Sequence, residues 1–169
     1  MNICIFGDSI TWGACDDEKG GWVERLKSFY LQGEEENFVF NVGIPGDNSD
    51  KLLKRFHAEA TTREPDVIIF AIGVNDSQFV RDKDHRRVSL EKFKQNLFEL
   101  VAQAQVLTEK IIFVGIAGVD EKKMMPTSWD REKYYDNESI EKYNDVIKKI
   151  CQEKALTFIP MKGIVGNAD

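Results

Sequence analysis

The chain has 169 residues, of which 42% are hydrophobic and 31% are charged, and its formal net charge is −6. A chain of this length suits one domain, which buries roughly 68–70% of its unfolded surface and needs no disulfide or metal ion to hold it together. The acidic balance argues against a nucleic-acid partner, because nucleic-acid binding requires a concentrated basic face.

Apolar runs alternate with amphipathic stretches along the whole chain, which predicts an α/β fold with a parallel sheet covered by helices. In chain order the predicted elements are strand 2–6, a short helix around Trp22 and Phe29, strand 38–42, helix 51–60, strand 67–72, helix 90–104, strand 111–116, helix 140–151 and strand 156–159. The strands are rich in Ile, Val and Phe, as strands buried on both faces are.

The two later helices have the clearest signals. Apolar residues recur at steps of three and four within 90–104, behind Ser89 as the candidate N-cap, and again within 140–151, with Asn137 before them. The connections 73–88 and 118–136 exceed the usual few residues, and loops of that length in a compact domain are often functional.

Each of the first three predicted strands is followed directly by a polar loop. Ser9 follows the first strand in the run FGDSI, Gly43 follows the second in NVGIPGD, and Asn75 follows the third in GVND. In an open α/β sheet, ligands bind beyond the carboxyl ends of the strands. We therefore expect these three residues to lie on one edge of the sheet.

The three residue types suit acyl transfer. A serine hydroxyl attacks a carbonyl only when a base takes its proton and fixed donors receive the developing negative charge. Glycine lets a backbone N–H approach a substrate oxygen closely, and a carboxamide is a neutral donor. Each residue also has an ordinary interpretation, with Ser9 as a helix cap and Gly43 and Asn75 as turn residues.

Together the three loops resemble the SGNH hydrolases, also called GDSL esterases and lipases. The matching runs are FGDSIT at 6–11, NVGIPGD at 41–47 and GVND at 73–76. The resemblance implies a three-layer α/β/α, flavodoxin-like sandwich with a five-stranded parallel sheet, and a cofactor-free reaction. It also implies that Ser9 attacks an ester carbonyl, while its own N–H, the N–H of Gly43 and the side chain of Asn75 form the oxyanion hole.

The sequence departs from the family at its far end. The family carries its base in a final block, with an aspartate three residues before a histidine, after the fifth strand. This chain runs only to Asp169, and no histidine follows His85. We therefore expect residues 1–169 to form one domain that lacks this block, through either truncation or genuine loss. His57, within helix 51–60, and His85, beside two arginines that disfavour an imidazolium, are poor substitutes.

Four further residues are candidates for substrate binding. Asp8 and Asp76 adjoin Ser9 and Asn75, and Trp12 follows the nucleophile loop. Trp129 lies in the segment 118–136, which is unusually apolar for a solvated loop. That segment could wall the ester pocket, fold on its own aromatic side chains, or be buried in a dimer contact, and Trp12 could equally be a packing residue.

The cysteines and the apolar runs bear on the location of the protein. Cys4, Cys15 and Cys151 are an odd number at irregular spacings, which predicts reduced thiols in a cytoplasmic protein. Met1 stands one residue before the first strand, which leaves no room for a signal peptide. No stretch approaches 18 uninterrupted apolar residues, so we expect no membrane span.

Our leading hypothesis is a serine esterase that cleaves small or medium carboxylic esters through an acyl-enzyme, with sugar deacetylation or thioester cleavage as variants. The alternative is a non-catalytic module that binds a carbohydrate or an acyl ligand at the same edge. A phosphate or nucleotide binder is disfavoured because residues 7–13 lack both the GxxxxGK[ST] lysine and the GxGxxG spacing. The sequence leaves the oligomeric state open.

Overall fold

The computed structural model describes residues 1–33, 36–82 and 85–162. The strands are β1 (Asn2–Gly7), β2 (Phe38–Gly43), β3 (Val67–Ala71), β4 (Phe79–Val80), β5 (Ile111–Val114), β6 (Lys133–Tyr134) and β7 (Thr157–Ile159). The helices are α1 (Ser9–Trp12), α2 (Trp22–Leu31), α3 (Ser49–Thr61), α4 (Val74–Ser77), α5 (Leu90–Gln105), α6 (Glu121–Met124) and α7 (Asn137–Glu153). Residues 163–169, on which the expectation of a missing catalytic block depends, lie outside the described part.

The five predicted strands form one parallel sheet in the order β2-β1-β3-β5-β7. β1 is central to the site, because it pairs with β2 on one side and β3 on the other. At its carboxyl end, Gly7 lies opposite Gly43 of β2 and Ala71 of β3. The loops after these three strands therefore leave the sheet at the same level, as the sequence predicted.

Helices cover both faces of the sheet, which confirms the three-layer α/β/α sandwich. In β1 alternate side chains point to opposite faces. Cys4 and Phe6 join the larger apolar cluster under α3, α5 and α7, whereas Ile3 and Ile5 join a smaller cluster under α2. A strand buried on both faces explains why 2–6 is a continuous apolar run.

The helix boundaries depend on caps that the sequence predicted only in part. Ser89 caps α5 as predicted, because its side chain accepts from the Lys92 N–H. α7 is capped by Asp136 rather than Asn137, and α3 begins two residues earlier than predicted, behind Asn48. In each case an Asn, Asp or Ser oxygen accepts from an N–H that the first helical turn leaves without a partner.

The two long connections pair with each other. β4, in the connection after β3, runs antiparallel to β6, in the connection after β5, and the Phe79 ring stacks on Tyr134 with centroids 5.2 Å apart. The sequence singled out both connections but did not predict the pairing. It holds residues 133–136 over the loop after β3.

Two findings bear on the remaining expectations. Cys4, Cys15 and Cys151 are all free. Within the three described ranges, no helix is both long enough and apolar enough to cross a membrane.

Candidate active site

Ser9 is the first residue of α1, directly beyond the carboxyl end of β1. Asp8 caps this short helix by accepting from the Ile10 N–H at 2.9 Å, and Gly13 ends it in a left-handed conformation with φ 101°. Ser9 itself is half-buried, and its hydroxyl has no hydrogen-bond partner among the described residues. The turn therefore presents an accessible serine on a short, capped helix.

Two glycines allow the strands to pass close to this turn. A Cβ on Gly7 would lie 2.0 Å from the Thr11 Oγ1 and 2.5 Å from the Ala71 carbonyl oxygen. A Cβ on Gly43 would lie 2.5 Å from the Trp12 backbone nitrogen and 2.9 Å from the Asp8 carbonyl oxygen. These distances leave no room for a Cβ at either position. Because Gly43 has none, the end of β2 packs directly against α1.

The N–H of Gly43 is engaged in this structure. It donates to Asn41 Oδ1 at 3.1 Å, while Asn41 Nδ2 donates to the Thr11 carbonyl at 3.0 Å. Asn41 therefore links the end of β2 to α1. A substrate oxygen that used the Gly43 N–H would have to compete with this carboxamide.

Gly46 is a second backbone donor that the sequence analysis did not select. Its φ is +79°, a Cβ there would meet nothing within 4 Å, and its N–H has no acceptor among the described residues. The Pro-Gly-Asp run at 45–47 was a signal for such a turn, because glycine takes positive φ without strain.

Asn75 lies in α4, after β3, and its side chain is held from three directions. Nδ2 donates to the Asp47 carbonyl at 2.8 Å, and Oδ1 accepts from the Tyr135 hydroxyl at 3.1 Å and from the Arg87 guanidinium at 3.4 Å. A carboxamide nitrogen carries two hydrogens. One N–H of Asn75 is therefore left to donate to a ligand, although the residue is only 5% exposed.

The carboxylate of Asp76 is fully buried behind Asn75. It accepts from the Ser49 N–H, at 2.9 and 3.1 Å to its two oxygens, and from the Ser49 hydroxyl. Burial raises its pKa to about 6, although the Ser49 bonds act in the opposite direction. Direct substrate binding by Asp76 would require the exchange of these bonds, whereas its present contacts join α3 to the loop after β3.

The carboxylate of Asp8 is also buried, at 2% exposure. Burial raises its pKa to about 6, the Ile10 N–H lowers it, and the nearby carboxylates of Asp76 and Asp47 raise it further. Its one described hydrogen bond is the cap of α1, so substrate binding by Asp8 stays a prediction.

The tryptophans selected from the sequence are both exposed. Trp12 ends α1 and is 56% exposed, and Ile10 and Ile44 beside the same turn are 52% and 41% exposed. Trp129 is 63% exposed in the loop before β6. Trp12 is therefore exposed apolar surface three positions after Ser9 on the same short helix, whereas no described contact links Trp129 to Ser9.

Neither histidine contacts Ser9 in the described part of the chain. His57 is exposed on α3. The His85 ring lies 2.7 Å from Asp82 Oδ1, and its side chain is 73% exposed. The described residues also bring no three His, Cys, Asp or Glu side chains together as a metal-binding group.

Arginine and tyrosine side chains from outside the three motifs brace the site. Arg55 of α3 donates to Asp47 Oδ2 at 2.7 Å and to the carbonyls of Val42 and Gly7 at 2.9 and 3.3 Å. Arg87 and Tyr135 both donate to Asn75 Oδ1. Sequence reasoning missed all three, because their partners are 8 to 60 positions away along the chain.

Comparisons with known proteins bear on this geometry. Residues 5–169 match the model of the GDSL-like lipase/acylhydrolase family. The fold is similar to that of a lipase/acylhydrolase from Enterococcus faecalis, with 26% identity, a TM-score of 0.76 and coverage of 95% of this chain and 75% of that one. The comparison with curated proteins found no match.

Two further solved structures share the fold. TesA is 22% identical with a TM-score of 0.72, and the match covers 94% of this chain and 77% of that one. The acetylxylan esterase Axe2 from Geobacillus stearothermophilus is 22% identical with a TM-score of 0.71, and the match covers 93% of this chain and 74% of that one. At this identity the likeness concerns the arrangement of strands and helices.

Proposed function

We propose that Ser9 is the nucleophile of a carboxylic ester hydrolase, because the chain belongs to the GDSL-like lipase/acylhydrolase family and Ser9 lies in its matched segment. The observation that carries the proposal is the common level at which the loops after β1, β2 and β3 leave the sheet. It brings a serine hydroxyl without a partner among the described residues to the same edge as the free N–H of Asn75.

In the proposed reaction, the Ser9 Oγ attacks the ester carbonyl and its proton passes to a base. The tetrahedral oxyanion accepts from the N–H of Ser9, the remaining N–H of Asn75 and a backbone N–H of the loop after β2. Gly43 is the donor implied by the resemblance, and the open N–H of Gly46 supports it as a further one. The base gives the proton to the departing oxygen, so that the alcohol leaves, and then takes a proton from water as the water hydrolyses the acyl-enzyme and frees Ser9.

The proposal requires a proton acceptor beside Ser9, and we assign this role to a histidine of the C-terminal block that the family resemblance implies. His57 is exposed on α3 and the His85 side chain is 73% exposed, and neither contacts Ser9 among the described residues, which supports this assignment.

For the substrate, we propose a small or medium carboxylic ester with an apolar acyl group. The exposed side chains of Ile10, Trp12 and Ile44 support this choice, because they leave apolar surface on α1, which carries Ser9, and on the loop that follows β2. Removal of acetyl groups from a sugar remains the second candidate, supported by the fold shared with an acetylxylan esterase.

The test is the hydrolysis of p-nitrophenyl esters by the natural protein and three variants. Ser9→Ala is expected to lower kcat by at least about a thousandfold, because it removes the nucleophile. Ser28→Ala is the matched control on the surface of α2, and His85→Ala tests the alternative base; both are expected to retain kcat within about twofold.

Wild-type hydrolysis by Ser9→Ala would refute the nucleophile, and loss of activity in His85→Ala would move the base to that residue. A natural protein that binds an acyl ligand in calorimetry but never hydrolyses an ester would instead support the non-catalytic module.

We also propose a cytoplasmic location. The free thiols of Cys4, Cys15 and Cys151 support it, because thiols persist in a reducing compartment. Recovery of the natural protein mainly in an extracellular or periplasmic fraction would contradict it.

A further inference from the structure

Arg87 joins the two loops that carry the candidate oxyanion donors. Its Nη1 lies 3.4 Å from Asn75 Oδ1 and 3.2 Å from Gln78 Oε1, and its Nη2 donates to the Gly46 carbonyl at 3.0 Å. One planar guanidinium therefore spans the loop after β2 and the segment after β3. An arginine can do this because it carries five N–H donors in a rigid fork.

Tyr135 approaches the same carboxamide from the opposite connection. Its hydroxyl donates to Asn75 Oδ1 at 3.1 Å, and the residue is 8% exposed. Burial raises the pKa of Tyr135 to about 12, so the hydroxyl keeps its proton across the physiological range. The pairing of β4 with β6 brings this tyrosine to the site.

These partners select one of the two orientations of the Asn75 carboxamide. Arg87 can only donate, so it accepts no bond from an NH₂ group, and the Asp47 carbonyl can only accept. A flip of the amide by 180° would place two donors together at Arg87 and two acceptors together at Asp47. The tyrosine hydroxyl tolerates either orientation but adds a second bond to Oδ1.

The positive charge of Arg87 also acts on the amide itself. A cation that donates to the carbonyl oxygen polarises the amide, and a polarised amide is a stronger N–H donor. The free N–H of Asn75 is therefore both aimed and strengthened by groups that do not touch the substrate.

We infer that Arg87 and Tyr135 are positioning residues for oxyanion stabilisation, which hold the Asn75 carboxamide with one N–H directed at the reacting carbonyl. The inference rests on the proposed function, since it assumes that Asn75 donates to the oxyanion. It extends that function to two side chains that lie outside the three family motifs.

The experiment is a double-mutant cycle in steady-state ester hydrolysis. Asn75→Ala is expected to lower kcat by about 10²–10³ with little change in KM. Arg87→Ala should lower kcat by about tenfold to a hundredfold and Tyr135→Phe by about threefold to tenfold, again with KM nearly unchanged. Arg87→Lys should fall between wild type and Arg87→Ala, because lysine keeps the charge but cannot span three acceptors.

The decisive variants combine these changes with Asn75→Ala. Residues that act only through Asn75 add no further loss once its side chain is gone, so each double variant should match Asn75→Ala alone. Tyr143→Phe is the matched control for Tyr135→Phe, since its buried hydroxyl donates to the Val88 carbonyl and makes no described hydrogen bond with Asn75. Arg81→Ala, on the same connection and paired with Glu132, is the control for Arg87→Ala.

The outcomes separate the inference from the proposed function. If Asn75→Ala lowers kcat while Tyr135→Phe and the arginine variants do not, the inference is wrong and the oxyanion role of Asn75 stands. Additive losses in the double variants would also overturn it, because they would mean action independent of Asn75. If Asn75→Ala leaves kcat unchanged, its oxyanion role fails. If Arg87→Ala does not fold, the double-mutant cycle of Tyr135→Phe with Asn75→Ala tests the inference, because Tyr135→Phe removes only the hydroxyl group.

Discussion

Asp8 is buried beside Ser9, and its ionisation should make the stability of the protein depend on pH. Its pKa is about 6 in the folded protein, against an ordinary value of 3.8 for an aspartate in an unfolded chain. A raised carboxyl pKa means that folding favours the protonated form. The contribution of Asp8 to stability is therefore complete below about pH 4 and is lost as pH rises through about 6.

The corresponding prediction compares wild type with Asp8→Asn, which is neutral at every pH and can still accept from the Ile10 N–H. Relative to wild type, the variant should gain about 2 kcal/mol in unfolding free energy between pH 4.5 and pH 7.5. Urea denaturation at the two pH values measures this change. A difference between the two proteins that is the same at both pH values would contradict the raised pKa.

At the residue scale, sequence patterns selected the residues that stand in local motifs. Ser9, Gly43 and Asn75 each follow a recognisable strand, so their place on one edge could be inferred. Arg87 and Tyr135 could not be found in this way, because their roles depend on the Arg87–Gly46 contact across 41 positions and the Tyr135–Asn75 contact across 60. A lone arginine or tyrosine in a long connection carries no signal of its partner.

At the element scale, the predictions succeeded where an element was long enough to show a period. The five sheet strands and the four long helices were all predicted, with most boundaries shifted by only one or two residues. α1, α4, β4 and β6 span only two to four residues each, so no period of 2 or 3.6 could reveal them. These short elements build the site, because α1 carries Ser9 and α4 carries Asn75.

α1 also leaves an exposed aromatic side chain near Ser9, because Trp12 stands three positions after Ser9 and residues three apart are neighbours on a helix. Trp12→Ala should lower kcat/KM for an octanoyl ester by about fivefold to thirtyfold and leave an acetyl ester almost unchanged, because only the longer acyl chain covers the indole. Rates for both esters measure this selectivity. Phe29→Ala, an exposed aromatic on α2, is the matched control, and equal losses for both esters in Trp12→Ala would contradict an acyl-binding role.

At the scale of the whole molecule, the sheet aligns the candidate site residues. Fully buried aromatic side chains pack around its centre: the rings of Phe6 and Phe56 lie 4.9 Å apart, and those of Phe70 and Phe113 lie 5.0 Å apart. This core holds β1 between β2 and β3, so the three loops leave one edge together. Its apolar runs were readable in the sequence, whereas the pairing of the two long connections depended on contacts between distant segments.

The central claim is that Ser9 forms a covalent acyl-enzyme on this edge. Mass spectrometry of the natural protein after reaction with a fluorophosphonate ester tests it most directly, because such reagents phosphonylate an activated serine. We predict a single adduct on the peptide that contains Ser9, and no adduct on the Ser9→Ala variant. An adduct on another residue, or labelling of Ser9→Ala at the wild-type rate, would contradict the account.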